Sequence, residues 1–206
     1  MAITVSEIFV ELQGEGARAG SRNVFVRFAG CNLKCNKQEH GFDCDTDFSS
    51  VYKKFATAAE LAEECVALWG DSPNRAVIFT GGEPLLQLNT EILQEFQSRN
   101  FFIAIETNGT VELSETDRAL VDWICCSPKT AEHTIRVATK VNELRYVRAV
   151  RQGIPKPRIQ ADHYYLSPAA DPEGPMSENF EHCKALIADN SRWKLSVQMH
   201  KLWGIR

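Results

Sequence analysis

No apolar stretch in these 206 residues approaches the roughly 20 needed to cross a bilayer, and the N-terminus shows no basic region followed by an apolar core. A cytoplasmic protein with no membrane partner is therefore expected. The chain also lacks a basic field: 23 Lys and Arg stand against 27 Asp and Glu, a formal net charge of −4. With no Lys/Arg stripe interleaved with aromatics, nucleic acid is not an expected ligand. Internal repeats, low-complexity segments and charge blocks are missing too; only residues 167–177, rich in Pro and Ala, read as a soft loop. What is present, 44% hydrophobic and 24% charged residues, is the balance of one globular domain. A chain of this length buries about 70% of its unfolded surface, so it needs no disulfide or metal merely to fold. Any metal site would serve a function.

Seven cysteines are unevenly placed. Cys31, Cys35 and Cys44 share one short polar segment, whereas Cys65, Cys125, Cys126 and Cys183 are scattered among apolar neighbours and read as core or strand-end residues. Only the first three look like a site.

Short β-branched or aromatic runs alternate with helical patterns. Strands are predicted at Ile3–Glu7, Asn23–Phe28, Ala76–Phe79, Phe101–Glu106, Trp123–Cys126, Glu143–Val147, His163–Leu166 and Lys194–Gln198, and helices at Ala58–Leu68, Gln87–Arg99 and Ser177–Ala188. Thr57, three residues before Glu60, fits a capping box at the first helix. Such alternation predicts an α/β fold with a mostly parallel sheet and crossover helices. Gly14, Gly16, Gly20, Gly30, Gly81, Gly82 and Gly109 fall after predicted strands or in connecting loops, where parallel α/β folds gather their ligand sites.

The run from Gly30 to Phe48 offers three thiols on one loop, and thiolates suit both zinc and iron–sulfur clusters. A zinc loop completed by His40 or Cys65 and an incompletely ligated cluster with one open iron both fit this segment. The second segment, Val77-Ile78-Phe79-Thr80-Gly81-Gly82-Glu83-Pro84, is an apolar strand ending in a small turn. Its paired glycines expose backbone groups to a ligand, and Glu83 offers an acceptor for an ammonium group, although a Gly-Gly turn taken alone is commonly just a turn.

Together and in this order the two segments resemble the radical S-adenosylmethionine superfamily, which combines a cysteine triad with a Gly-Gly-Glu-Pro turn. The similarity narrows through residues 7–16, Arg27 to Leu33, Cys44-Asp45-Thr46-Asp47, Ile105-Glu106-Thr107-Asn108-Gly109, Ser127-Pro128-Lys129 and Leu195 to Lys201, which together resemble the 7-carboxy-7-deazaguanine synthase family. One departure is the interval of eight residues between Cys35 and Cys44 where two are usual. The resemblance implies a modified partial (β/α) barrel forming one domain over residues 1–206, with an enlarged cluster-binding loop at about 31–48. The implied reaction converts 6-carboxy-5,6,7,8-tetrahydropterin to 7-carboxy-7-deazaguanine with loss of ammonia, on the route to queuosine. The chemistry is carried by the cofactor-derived radical and not by a catalytic side chain.

The same resemblance implies the site residues. Cys31, Cys35 and Cys44 would hold a [4Fe–4S] cluster, and Thr46 would help place Mg2+. S-adenosylmethionine would meet Asp43, Cys44, Asp45, Gly82, Glu83, Ser127, Pro128, Lys129, Ser167, Pro168, Ala169 and Ala170. The carboxypterin would meet Leu12, Gln13, Gly14, Arg27, Thr80, His200 and the terminal carboxylate of Arg206. A flavodoxin or ferredoxin reductant and a homodimer follow from the same likeness. For Arg27 there is also a positional argument: alternation sets it opposite Val24, Val26 and Phe28, where it needs an anion, either a substrate carboxylate or an internal Glu. Two other functions share parts of the pattern: an activase that makes a radical on a partner protein, and a non-enzymatic metal-binding module.

Overall fold

Alternation of period two starts the architecture. Val24, Val26 and Phe28 are fully buried on one face of the strand Arg22–Phe28, because successive side chains point to opposite sides of a sheet. The computed structural model, which describes residues 2–40, 43, 44, 46–169 and 178–205, builds this strand into a nine-stranded sheet. In chain order the strands are β1 (Ile3–Leu12), β2 (Arg22–Phe28), β3 (Lys53–Phe55), β4 (Ala76–Gly81), β5 (Phe102–Thr107), β6 (Trp123–Cys126), β7 (Lys140–Arg148), β8 (Gln160–Pro168) and β9 (Lys194–Leu195). Their order across the sheet is β3-β1-β2-β4-β5-β6-β7-β8-β9. β1 pairs antiparallel with β2 and β3, and the remaining neighbours are parallel. The sheet does not close, which is the open, mostly parallel α/β architecture expected of a partial barrel.

Parallel neighbours need crossovers. The helices are α1 (Lys37–His40), α2 (Ala58–Trp69), α3 (Thr90–Ser98), α4 (Glu115–Arg118), α5 (Glu178–Ala188) and α6 (Met199–Trp203). At the start of α2, Thr57 Oγ1 accepts from the Glu60 N–H at 3.2 Å, as its capping role requires. The Glu60 carboxylate reaches back to the Ala56 N–H, one residue earlier than a reciprocal box would take it. α3 begins at Thr90 and not at Gln87, because Asn89 Oδ1 caps the Ile92 N–H and a 3-10 turn occupies Pro84–Leu86. Gln87 is used differently: its amide donates to the Thr4 and Ala29 carbonyls and fastens the turn after β4 to β1 and β2. The expected strand Lys194–Gln198 stops at Leu195, since the chain turns into α6 four residues on.

One face of the sheet is packed, and the other carries charged and polar groups among its side chains. Val77, Phe79, Ile103, Ile105, Ile124, Leu144 and Leu166 are at most 1% exposed and join Leu61 and Cys65 of α2, Ile92 and Phe96 of α3 and Cys183 of α5. Phe79 stacks on Phe28 at 5.8 Å and meets Phe96 edge-on at 4.9 Å. Each such ring contributes about 1.5–3 kcal/mol by leaving water. Among the described residues no helix is long and apolar enough to cross a membrane.

Candidate active site

The opposite face of the sheet carries a row of polar groups from β2 to β7, and Ser167 lies further along β8. Arg27 on β2 is in register with Thr80 on β4, Glu106 on β5 with Cys125 on β6, Cys125 with Glu143 on β7, and Val147 on β7 with Ser167 on β8. Ile78 and Ala104 are also in register, which puts Thr80 and Glu106, two residues further on, on the same side. Charges on central strands of a sheet need partners, and here they partner one another.

Arg145 is the hub. Its Nε lies 3.0 Å from Glu15, its Nη1 3.0 Å from Glu143, and its Nη2 bonds Glu106. Glu106 also accepts from Gln13 Nε2 at 3.0 Å, and Glu143 from the Ala17 N–H at 2.9 Å. Burial pushes the Glu106 carboxyl up, and Arg145 pulls against it. Three carboxylates thus surround one guanidinium.

Above this floor, the loops at the carboxyl ends of β2, β4, β5, β6 and β8 enclose a cavity of about 220 Å3. Cys31, Cys35, Asp43, Cys44, Thr46, Gly82, Ser127, Lys129, Ser167 and Pro168 all line it, together with Glu15, Glu106, Asn108, Arg145 and Gln198. Backbone bonds draw the loops together: Glu83 N–H donates to Gly30 O at 3.0 Å, and Ser127 N–H to Thr107 O at 2.8 Å. Gly82 has to be glycine, since a Cβ there would stand 2.1 Å from Gly30 O and 2.7 Å from the Cys31 Cβ.

The donor set fits a cluster better than a single ion. Among the described residues no three His, Cys, Asp or Glu side chains are grouped to hold one metal ion, as a tetrahedral zinc would require. A [4Fe–4S] cluster asks each thiolate for a different iron, so its ligands surround a volume and need not converge on a point. Among the described residues Ser167 Oγ, buried in the same cavity wall, has no hydrogen-bond partner, and such a group is suited to a polar ligand. Burial pushes the Cys31 and Cys35 thiols upward; at Cys35 the Lys129 ammonium opposes this.

Several expected contacts fall elsewhere. Glu83, read as an acceptor for a ligand ammonium, is 0% exposed, and both its oxygens are taken by neighbouring protein donors. Pro128 lines a neighbouring cavity with Glu39 and His40, and Ala169 is buried with its N–H on the Arg148 carbonyl. Arg27 has found the internal partner: its Nε donates to Glu7 at 3.1 Å across the β1–β2 pair. Leu12, Gln13, Gly14, Arg27, Thr80 and His200 do not line the cysteine cavity. Gln13 reaches it through Glu106, while Gly14 meets His200 and its carbonyl accepts from the Met199 N–H at 2.9 Å. Asp45, Ala170 and Arg206 lie outside the described residues.

Over its full length the chain is 39% identical to the 7-carboxy-7-deazaguanine synthase of Bordetella pertussis, 38% to that of Caulobacter vibrioides and 37% to that of Bradyrhizobium diazoefficiens, each match covering 100% of both chains. The chain belongs to the 7-carboxy-7-deazaguanine synthase family. A family described as a 4Fe-4S single cluster domain matches residues 12–110, a span that includes all three cysteines of the cavity. The crystal structure of QueE from Escherichia coli shares the fold, with a TM-score of 0.66 at 21% identity over 97% of this chain and 95% of that one.

Membership in the synthase family does not by itself single out Glu15, Glu106, Arg145 or Gln198, to which the sequence reading gave no role. A signal was present for two of them. Glu106 follows the apolar run Ile103-Ala104-Ile105, and Arg145 stands between Leu144 and Tyr146, on strands that the pattern places inside the sheet. A charge there is either paired or functional.

Proposed function

We propose that this chain is a radical S-adenosylmethionine lyase that converts 6-carboxy-5,6,7,8-tetrahydropterin to 7-carboxy-7-deazaguanine and ammonia. Cys31, Cys35 and Cys44 hold the [4Fe–4S] cluster. Asp43, Asp45, Gly82, Ser127, Lys129 and Ser167 surround S-adenosylmethionine, and Thr46 would offer one oxygen to Mg2+, an ion that commonly keeps waters and takes few protein ligands. The observation that carries the reading is the convergence of these segments on one cavity in a chain related over its whole length to synthases of that name.

When bound, the cluster and S-adenosylmethionine together supply the radical that removes a hydrogen atom from the substrate. The protein positions and shields. Arg27 and Thr80, adjacent on β2 and β4, face the substrate carboxylate from one side. The carboxylates of Glu15 and Glu106 outnumber the guanidinium between them, so this end of the cavity offers acceptors to a ligand rich in N–H groups, as a tetrahydropterin is. Lys129, held by the Ser127 carbonyl and hydroxyl, lines the same cavity as Cys35 and Arg145; burial first, and then Arg145, lowers its pKa. Gln13, Gly14 and His200 complete the substrate side. A homodimer, a flavodoxin or ferredoxin donor and a cytoplasmic setting belong to the same proposal.

The test is anaerobic reconstitution with iron and sulfide, then incubation with dithionite, S-adenosylmethionine, Mg2+ and the carboxytetrahydropterin. Formation of 7-carboxy-7-deazaguanine with ammonia supports the reading. A fully loaded cluster that cleaves S-adenosylmethionine but leaves the pterin unchanged points to a partner-activating enzyme, and protein that binds metal without cleavage to a binding module.

A further inference from the structure

Glu83 sits in the turn that borders the cavity, yet its side chain never enters it. At 0% exposure its Oε1 accepts from the Leu85 N–H at 3.0 Å and the Thr107 hydroxyl at 2.8 Å, and its Oε2 accepts from the Asn108 N–H at 2.8 Å. A buried carboxylate persists only when donors replace its water, and these three do so. An ammonium on the cavity side would find no exposed carboxylate oxygen.

The bonds run onward. Asn108 Nδ2 donates to Asn32 Oδ1 at 3.0 Å, while Asn108 Oδ1 accepts from both the N–H and hydroxyl of Thr110 at 2.9 and 2.6 Å. Asn32 Nδ2 closes the ring by donating to Thr110 Oγ1 at 2.8 Å. Asn32 follows Cys31 directly, and the Cys31 Sγ accepts from the Leu33 N–H at 3.4 Å. A continuous path therefore joins the turn after β4, the loop after β5 and the first cysteine of the cavity, alongside the backbone bond from Glu83 N–H to Gly30 O.

Building on the proposed cofactor site, we infer that Glu83 is a positioning residue, which holds Asn108 and, through Asn32, the Cys31 turn in the geometry that cluster and S-adenosylmethionine require, without touching the cofactor itself. Asn108 transmits the constraint: its backbone answers to Glu83 and its side chain to the cysteine loop. Rigid side chains locked by hydrogen bonds are what hold such ligands in place.

The experiment compares Glu83→Gln, Asn108→Ala, Asn32→Ala and the Glu83→Gln/Asn108→Ala double variant as reconstituted proteins. Two quantities are read: the dissociation constant for S-adenosylmethionine, and the electron paramagnetic resonance spectrum of the reduced cluster before cofactor is added. Each single change should weaken cofactor binding on the order of tenfold, the equivalent of about one hydrogen bond, and should shift the cofactor-free spectrum. The double variant should be no weaker than its worse parent, because residues acting in series are not additive. A direct ligand would behave otherwise. Glu83→Gln alone would then weaken binding, Asn32→Ala and Asn108→Ala would match the wild type in both readouts, and the inference would be overturned. If Glu83→Gln yields no holoprotein, Asn32→Ala on the exposed loop decides alone: an unchanged affinity and spectrum overturns the inference. Neither measurement uses the pterin, so failure of the proposed reaction is separately visible in wild-type turnover.

Discussion

The Arg145 guanidinium and the Glu15 carboxylate, 3.0 Å apart, tie the middle of β7 to the loop that follows β1. The two segments stand 130 residues apart in sequence and on strands separated by four others in the sheet. Only a strongly curved sheet brings them together, which is how an open barrel produces an interior. Arg145→Met should therefore do more than remove one ion pair: it takes from Glu143, Glu106 and Glu15 the guanidinium that all three share. A loss of about 3–5 kcal/mol is expected, read from the urea midpoint of the apoprotein. Arg145→Lys should recover only part of this, since one ammonium cannot serve three carboxylates in the guanidinium's directions. A midpoint within experimental error of wild type for Arg145→Met would show the cluster to be energetically idle.

Arg27 and Glu7 pose the opposite case. Both side chains are 23% exposed, so their pair stabilises by about 1 kcal/mol or less. Arg27→Ala should barely move the unfolding midpoint yet raise KM for the carboxypterin at least tenfold, because a second anion, the substrate carboxylate, loses its partner. Glu7→Gln should leave the midpoint similar and lower KM or leave it unchanged, since the guanidinium becomes freer to turn. If Arg27→Ala changes neither quantity, the Glu7 pair is all that this arginine does.

Much of this was legible because it is local or periodic. The strand Trp123–Cys126 is as the pattern predicts, the Thr57 cap starts α2, and the apolar and polar faces separate by simple alternation around Val24, Val26 and Arg27. What was not legible depends on distant partners. Nothing near Glu83 reveals that Thr107 and Asn108, 24 and 25 residues on, will take its oxygens. β3, the three residues Lys53–Phe55, is too short for alternation to register and exists because β1 offers an unpaired edge. The stretch 194–198 has strand-like composition but lies where the chain must leave the sheet to lay α6 against Gly14.

The cysteines give a chemical prediction. Cys65, Cys125, Cys126 and Cys183 are at most 1% exposed, and burial pushes all four thiols up, that of Cys183 to about 11. At pH 8 about one Cys183 in a thousand is thiolate, and the thiolate is the nucleophile. In the native apoprotein iodoacetamide should modify Cys31, Cys35 and Cys44 first, with peptide mass spectrometry as the readout. Labelling at Cys183 should rise with pH toward 11, because a raised thiol pKa keeps the unreactive protonated form up to that value. Rapid native labelling of Cys125 at pH 8 would contradict its burial.

The contact between Gly14 and His200 makes the last test. A Cβ on Gly14 would stand 2.2 Å from His200 Nδ1 and 2.8 Å from its Cγ, so Gly14→Ala must push the ring, and α6 with it, away from the loop after β1. Overpacking of this kind costs about 1–3 kcal/mol. Neither residue lines the cysteine cavity, so iron content and S-adenosylmethionine affinity should stay at wild-type levels. KM for the carboxypterin should rise on the order of tenfold, because a displacement of about 1 Å at a positioning element is enough to do so. Adding His200→Ala removes the clash. The double variant should regain stability while its KM stays high, since the imidazole on the substrate side is now gone. A C-terminal extension, which burdens the segment beyond α6, should mimic the kinetic defect without the stability loss, and an N-terminal tag should do neither. Recovery of KM together with stability in the double variant would mean that α6 closes the fold there and that His200 has no part in holding substrate.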